Sequence, residues 1–162
     1  MVKWYRKRWD DEATAFMEKQ GKWRRAHGTH YFSGKVDGNI FWIFSTPRTV
    51  DGYAEVNTFS DWRPLLDSNL DKKQRKAVRD IGMLLGLTWI FEELDNEGIY
   101  GRFTMKNNGS LRLQKVIGHE FTIVETDQKD KDGDPYFKWT CSREEFRNSD
   151  IYQRAKDSVY DF

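Results

Sequence analysis

Four cations, Lys72, Lys73, Arg75 and Lys76, stand at the start of what reads as the longest helix of the chain. Positive charge at a helix N-terminus opposes the macrodipole, so an external anion such as a phosphate would relieve it. A solvated basic face, partly balanced by Asp71 and Asp80, is the plainer alternative. Other chemically capable residues are set less favourably. His27 and His30 lie three apart with His119 distant, so a metal site would need the fold to gather them. Asp130, Asp132 and Asp134 surround Gly133 like a calcium loop. With Gly133 in the sixth place, however, the first place falls on Gln128 and the twelfth on Trp139, which removes two ligands. A polar hairpin tip is the better reading, and no metal is expected. Cys141 is the only cysteine, which excludes an internal disulfide and fits a reducing compartment; it has no recognisable activating context.

A second stretch with binding chemistry is 1–9, MVKWYRKRW, which interleaves basic residues with Trp4, Tyr5 and Trp9. Read as an arm, it offers Trp4, Tyr5, Arg6, Arg8 and Trp9 to a partner, its cations meeting phosphates while its rings stack. In the alternative the tryptophans pack back on the domain and the cations face solvent. Net charge does not choose: the formal charge is +1, so nucleic acid or anionic lipid would need a local patch. Aromatic residues reach 15%, which makes a ring-rich core. The 162 residues suit one domain, with the arm at 1–9, the domain proper at 10–140, and a C-terminal helix and tail at 141–162. No apolar stretch approaches the roughly 20 residues of a membrane span, and no leader is recognised, so a soluble, unprocessed chain is expected.

The elements that must position these residues follow from periodicity. A short helix is predicted over 10–20, stopped by Gly21, and a basic connector over 22–28. Strand patterns follow around Tyr31 and Phe32 and over 39–44, joined by Asp37-Gly38, then over 53–59, giving a three-stranded antiparallel meander. The unbroken apolar run 40–44 predicts a strand covered on both faces. Ser68 with Asp71 reads as the start of the long helix, which runs through Leu94 despite Gly82 and Gly86. A strand is predicted over 98–105, a turn at Asn107-Asn108-Gly109, and a helix capped by Ser110 and stopped by Gly118. A hairpin over 121–125 and 136–140 follows, then a short helix signalled by Ser142 and Glu145.

The stretch from Asn107 to Gly118 carries a resemblance. An Asn ending a strand, Ser110 three places on, Leu111 four places on and Gly118 eleven places on resemble the closing motif of the GNAT N-acetyltransferase superfamily. Two positions depart from it: Gln114 stands where the family usually has a Tyr that protonates the leaving thiolate, and His119 where a Phe follows the Gly. Within the superfamily the pattern is similar to degenerate GNAT-like proteins of short-tailed phages, including internal virion proteins.

The resemblance implies an α/β fold with a mixed, mostly antiparallel sheet flanked by helices. It further implies an acetyl-CoA pyrophosphate at the start of the long helix, with Lys72, Lys73, Arg75 and Asn107 as cofactor-binding candidates and Glu55 as the base. The family's glycine-rich phosphate loop is missing, since 62–74 contains no glycine and Asp67 and Asp71 would face the phosphates. The primary expectation is therefore a non-catalytic phage-type protein with no cofactor, holding a phage or host protein partner in the host cytoplasm or in a virion. An active acetyl-CoA-dependent N-acetyltransferase and a nucleic-acid-binding module are the alternatives.

Overall fold

The computed structural model of the chain describes residues 1–21 and 30–156, without the side chains of Ser110, Ala155 and Lys156. The basic connector 22–28 with His27, the proposed Ser110 cap and the end of the tail lie outside the described residues. The elements follow in the order β1 (Val2–Arg8), α1 (Asp11–Lys19), β2 (His30–Val36), β3 (Asn39–Ser45), β4 (Thr49–Val50), β5 (Tyr53–Glu55), β6 (Asn57–Ser60), α2 (Arg63–Leu66) and α3 (Lys72–Thr88). A π turn, Trp89–Glu93, prolongs α3; β7 (Gly98–Phe103), α4 (Arg112–Ile117), β8 (Thr122–Lys129), β9 (Pro135–Ser142), α5 (Arg143–Arg147) and α6 (Asp150–Lys156) complete the described chain. The strands form two sheets, ordered β1-β2-β3-β6 and β4-β5-β7-β9-β8. The β5–β7 pair is parallel, and the other pairs are antiparallel.

The N-terminal arm is a correction. Val2–Arg8 is a sheet strand, in register with β2 from Val2↔Val36 to Arg8↔His30. Its alternation places Val2 and Trp4 on the face that α3 covers, and Trp4 stacks on Phe32 at 5.8 Å and meets Trp42 edge-on. Trp9 packs on Tyr31, and Arg6 pairs with Glu93 at 2.9 Å. Both indoles are half-buried there, and the apolar surface so removed from water, at roughly 25 cal/mol per Å², favours the strand over a free arm.

The start of α3 is a second correction. Asp71, not Ser68, is its N-cap: the carboxylate accepts the Gln74 N–H at 2.8 Å while Gln74 Oε1 accepts the Asp71 N–H at 2.9 Å. Ser68 instead closes the preceding turn, donating to the Leu65 carbonyl. Gly82 belongs to the packing, since a Cβ there would lie 2.3 Å from Trp42 Cζ3 and 2.6 Å from Trp4 Cη2. The helix thus approaches the sheet more closely than any side chain permits.

The main core joins Phe32, Trp42 and Phe44 to Val78, Leu87 and Phe91, and continues under the second sheet through Ile99, Trp139, Cys141, Leu113, Ile117, Phe146 and Ile151. The C-terminal segment therefore contributes to the core: Ile151 of α6 is 2% exposed. On the opposite face, α1 places Ala13, Phe16 and Met17 against Tyr31, Ile40 and Ile43. Ile40, Phe41, Trp42, Ile43 and Phe44 are all buried, as the unbroken run predicts. Gly118 ends α4 in the left-handed conformation, and Ser142 with Glu145 forms the expected capping box of α5.

Candidate functional site

The run 53–59 reads as one strand in sequence but serves two sheets. β5 pairs in parallel with β7 for three residues, ending at Glu55↔Tyr100, and the Val56 N–H donates to the Tyr100 carbonyl at 3.0 Å. Beyond that rung β6 pairs with β3, while Gly101, Arg102 and Phe103 pair with β9. The two parallel strands part, and the facing edges of β6 and β7 do not pair with each other. A parted pair of this kind presents backbone donors and acceptors to an inserted extended chain bearing amides.

Glu55 stands at the point of parting. Its carboxylate, 14% exposed, accepts from Arg48 Nε at 2.6 Å, and its N–H donates to the Arg48 carbonyl at 2.8 Å. The hydrogen bond and charge of Glu55, followed by the neighbouring Tyr100 hydroxyl, raise Arg48 above the ordinary arginine value. Tyr100 is 4% exposed, and Lys138 Nζ sits 4.6 Å from its ring centre. One rung further, Arg102 stands directly opposite Lys138, with its guanidinium 5.7 Å from the Tyr136 ring centre and Nη1 donating to Gln128 at 2.7 Å. Cross-strand partners share a face, so Glu55, Tyr100, Arg102, Lys138 and Thr140 line one side of the second sheet. Of these the sequence yields Glu55. The signal for the others is the alternation in β7, where Tyr100 and Arg102 occupy even places between buried Ile99, Gly101 and Phe103.

The other expected residues are placed apart from this rung or are already engaged. Lys72 and Lys73 are exposed on the first turn of α3, whereas Arg75 Nη1 donates to the Leu70 carbonyl at 2.7 Å. Asp71 already supplies the anion at this helix end: its carboxylate takes the Gln74 N–H and its carbonyl the Arg75 N–H. Asn107 is exposed and closes a tight turn, donating through its N–H to Thr104. Gln114 clips the loop after α4 by accepting the Phe121 N–H at 3.2 Å. Of the arm residues, Trp4 and Trp9 are packed and Arg6 is paired, while Tyr5 lies under Lys7 and Lys35 and Arg8 is exposed.

The aspartate loop is a hairpin tip. Asp130 Oδ1 accepts the Asp132 and Asp134 N–H groups at 2.9 Å each, and Lys106 bridges to Asp134 at 2.6 Å. Among the described residues no group of three or more metal-capable side chains is gathered. His119 faces Glu145 at 3.7 Å. Burial, followed by the Glu145 charge, pushes the Cys141 thiol up to about 12, so it is no nucleophile at neutral pH. No described helix is long and apolar enough to cross a membrane.

No family model matches the sequence, and no curated protein matches it. Solved structures do match. The Campylobacter jejuni N-acetyltransferase PseH in complex with acetyl coenzyme A superposes with a TM-score of 0.52 at 16% identity, over 88% of this chain and 99% of its own. The Escherichia coli ribosomal-protein-S18-alanine N-acetyltransferase gives 0.54 at 17% identity, over 88% and 94%. An N-acetyltransferase from Staphylococcus aureus Mu50 gives 0.57 at 7% identity, over 88% and 97%. At these identities the likeness is one of fold, covering almost the whole of each relative. The chain has an α/β, GNAT-like fold, with mixed and mostly antiparallel sheets flanked by helices, the architecture of the GNAT acetyltransferases.

Proposed function

We propose that this chain is an acetyl-CoA-dependent N-acyltransferase of GNAT type with an atypical phosphate site. The observation that carries the reading is the parting of β6 and β7 immediately beyond a carboxylate, Glu55, that is nearly buried and oriented by Arg48. The residues fit a linear amide-bearing thioester in the slot, where the parted strand edges would hold its arm. They do not supply a backbone phosphate cradle at α3, because Asp71 closes that end. Lys72 and Lys73 would hold the phosphates by charge alone, as point cations do. Bound there, acetyl-CoA supplies an activated acyl group.

The chain's own part is proton management. Glu55 takes the proton of the attacking amine, a general-base contribution of about 10²–10⁴-fold in rate. Arg48 fixes the orientation of that carboxylate through its 2.6 Å bond. Gln114 has no acidic proton to give, and its amide oxygen is committed to Phe121. Tyr100 offers a replacement: its oxygen lies beside the Arg48 guanidinium, which leaves the O–H for donation.

The test is thermal unfolding with added acetyl-CoA. A ligand at 100 times its dissociation constant stabilises by about 2.7 kcal/mol. The expected result is a clear upward shift in wild type that is lost in Lys72→Ala/Lys73→Ala, together with thiol release once an acceptor amine is supplied. No shift at millimolar acetyl-CoA would sink the reading.

A second reading is favoured by two observations, the Asp71 carboxylate at the α3 terminus and the engaged Gln114 amide. In it the fold is kept as a non-catalytic scaffold for a protein partner, of phage or host, and no acyl-CoA binds. The same titration separates the two readings.

A further inference from the structure

The face that carries Glu55 is not covered by the helices that bury the other side of the second sheet. Ile99, Phe103, Trp139 and Cys141 join the core with α4, α5 and α6, whereas Tyr100 is buried yet belongs to neither apolar cluster. On this face Arg102 and Lys138 are direct cross-strand partners. Like charges placed directly opposite each other destabilise a sheet. Among the described residues neither cation has an ion-pair partner: Arg102 reaches a neutral amide, Gln128, and both rest on tyrosine rings, Tyr136 and Tyr100. The pair is therefore a cationic platform held in place by aromatic rings, with its charge unspent.

Its position gives it a purpose. Arg102 follows Tyr100 by two residues on β7, which is about 7 Å along a strand, and Tyr100 is the direct partner of Glu55. Resting on the acyltransfer reading, we propose that Arg102 and Lys138 select the acceptor. The acceptor is a small amine that carries a carboxylate or phosphate one rung away from the nitrogen presented to Glu55. The opposite end of the face, near Tyr53, holds Asp95, Glu97 and Glu144 beside Arg143 and Arg147, whose guanidiniums are already paired with Asp95 and Glu92, so it offers an anion no unpaired cationic platform like that of Arg102 and Lys138.

The experiment uses three dipeptides with the same free N-terminus and an amidated C-terminus, Ala-Glu, Ala-Gln and Ala-Lys, so that the side chain alone carries the charge that is varied. Binding to the full chain is measured by calorimetry without cofactor, and acetyl transfer by thiol release. Wild type is expected to favour Ala-Glu over Ala-Lys by about tenfold at low salt in both assays, with Ala-Gln between them, the preference shrinking as salt screens it. Arg102→Gln/Lys138→Gln should abolish the ranking while leaving acetyl-CoA affinity unchanged. Equal binding of the three, a preference for Ala-Lys, or a ranking that survives in the double variant would overturn the proposal. So would a loss of acetyl-CoA affinity without a change in ranking, since the cations would then serve the cofactor. The calorimetric ranking stands even if no transfer occurs, so failure of the acyltransfer reading and failure of the anion platform are separable.

Discussion

The two faces of the second sheet are written in the same strands and could hardly differ more. In β7 the side chains of Ile99 and Phe103 go to a face closed by helices, with Gly101 between them, while Tyr100 and Arg102 go to a face that carries charge. In β9 Phe137, Trp139 and Cys141 share the first face, and Lys138 and Thr140 the second. A period of two lets one stretch of chain specify a core and a site without compromise between them. The closed face is fitted so tightly that a Cβ at Gly101 would lie 2.5 Å from the Trp139 indole. The charged face has the opposite property, with partners that are paired by charge or left unpaired rather than fitted by volume.

Substitutions on the two faces should therefore differ in what they damage, stability on the closed face and binding or turnover on the charged one. The largest effect belongs to Trp139→Ala, which empties a fully buried position stacked on Phe121 at 4.6 Å. It should cost about 3–5 kcal/mol, read from the urea midpoint. Lys138→Gln, the next residue on the same strand, should stay within about 0.5 kcal/mol. Comparable losses at 138 and 139 would break the comparison. Next is Glu55→Gln, for which acetyl transfer should fall about a hundredfold or more with acetyl-CoA affinity retained. Unchanged turnover in that variant would remove Glu55 from the chemistry.

Smaller effects sharpen the reading at α3 and in the first sheet. Asp71→Ala should lose about 1 kcal/mol of stability as a lost cap, whereas Asp71→Ser keeps the cap and removes the charge. Tighter acetyl-CoA binding in Asp71→Ser would show that the carboxylate opposes the phosphates; unchanged binding would move the phosphate site elsewhere. The smallest effect is one of pH. Burial, and then the hydrogen bond donated to Asp10 at 2.9 Å, raise Tyr31 above its ordinary value of 10.0. The folded chain therefore holds that proton more tightly than the unfolded chain, and stability is intact below pH 10 and is lost as pH rises beyond it. Tyr31→Phe should be the less stable protein at pH 8 yet lose less on going to pH 11, as followed by thermal unfolding. An identical alkaline slope would show that Tyr31 is not the group responsible.

Much of this architecture is legible in the sequence because it is local. The Asp37-Gly38 turn, the fully covered run of β3, the Gly118 stop and the Ser142 capping box each follow from a few neighbouring residues. Sequence and structure part where two local signals compete or a partner is distant. Ser68 and Asp71 both offer an N-cap, and Gln74 decided between them. The basic and aromatic residues of 1–9 have the pattern of an arm, but β2 supplies an edge to pair with and Phe32 a ring to stack on. The 53–59 run has no sequence mark at Val56 that separates two sheets; the break comes from competition between β7 and β3 for its hydrogen bonds.

The sequence by itself determined the ring-rich core and the order of most elements from α1 to α5, which are properties of composition, period and spacing, whereas the candidacy of Glu55 and the missing glycine phosphate loop followed from the resemblance carried by 107–118. The tertiary structure alone decided that Tyr100 stands beside that carboxylate and that Arg102 and Lys138 line the same face one rung further on. Residues 55, 100 and 138 are brought to one face through strand pairing across long separations, whereas Arg48 reaches Glu55 across the short β4–β5 hairpin; register between distant strands is settled by packing of the whole sheet rather than by any local signal.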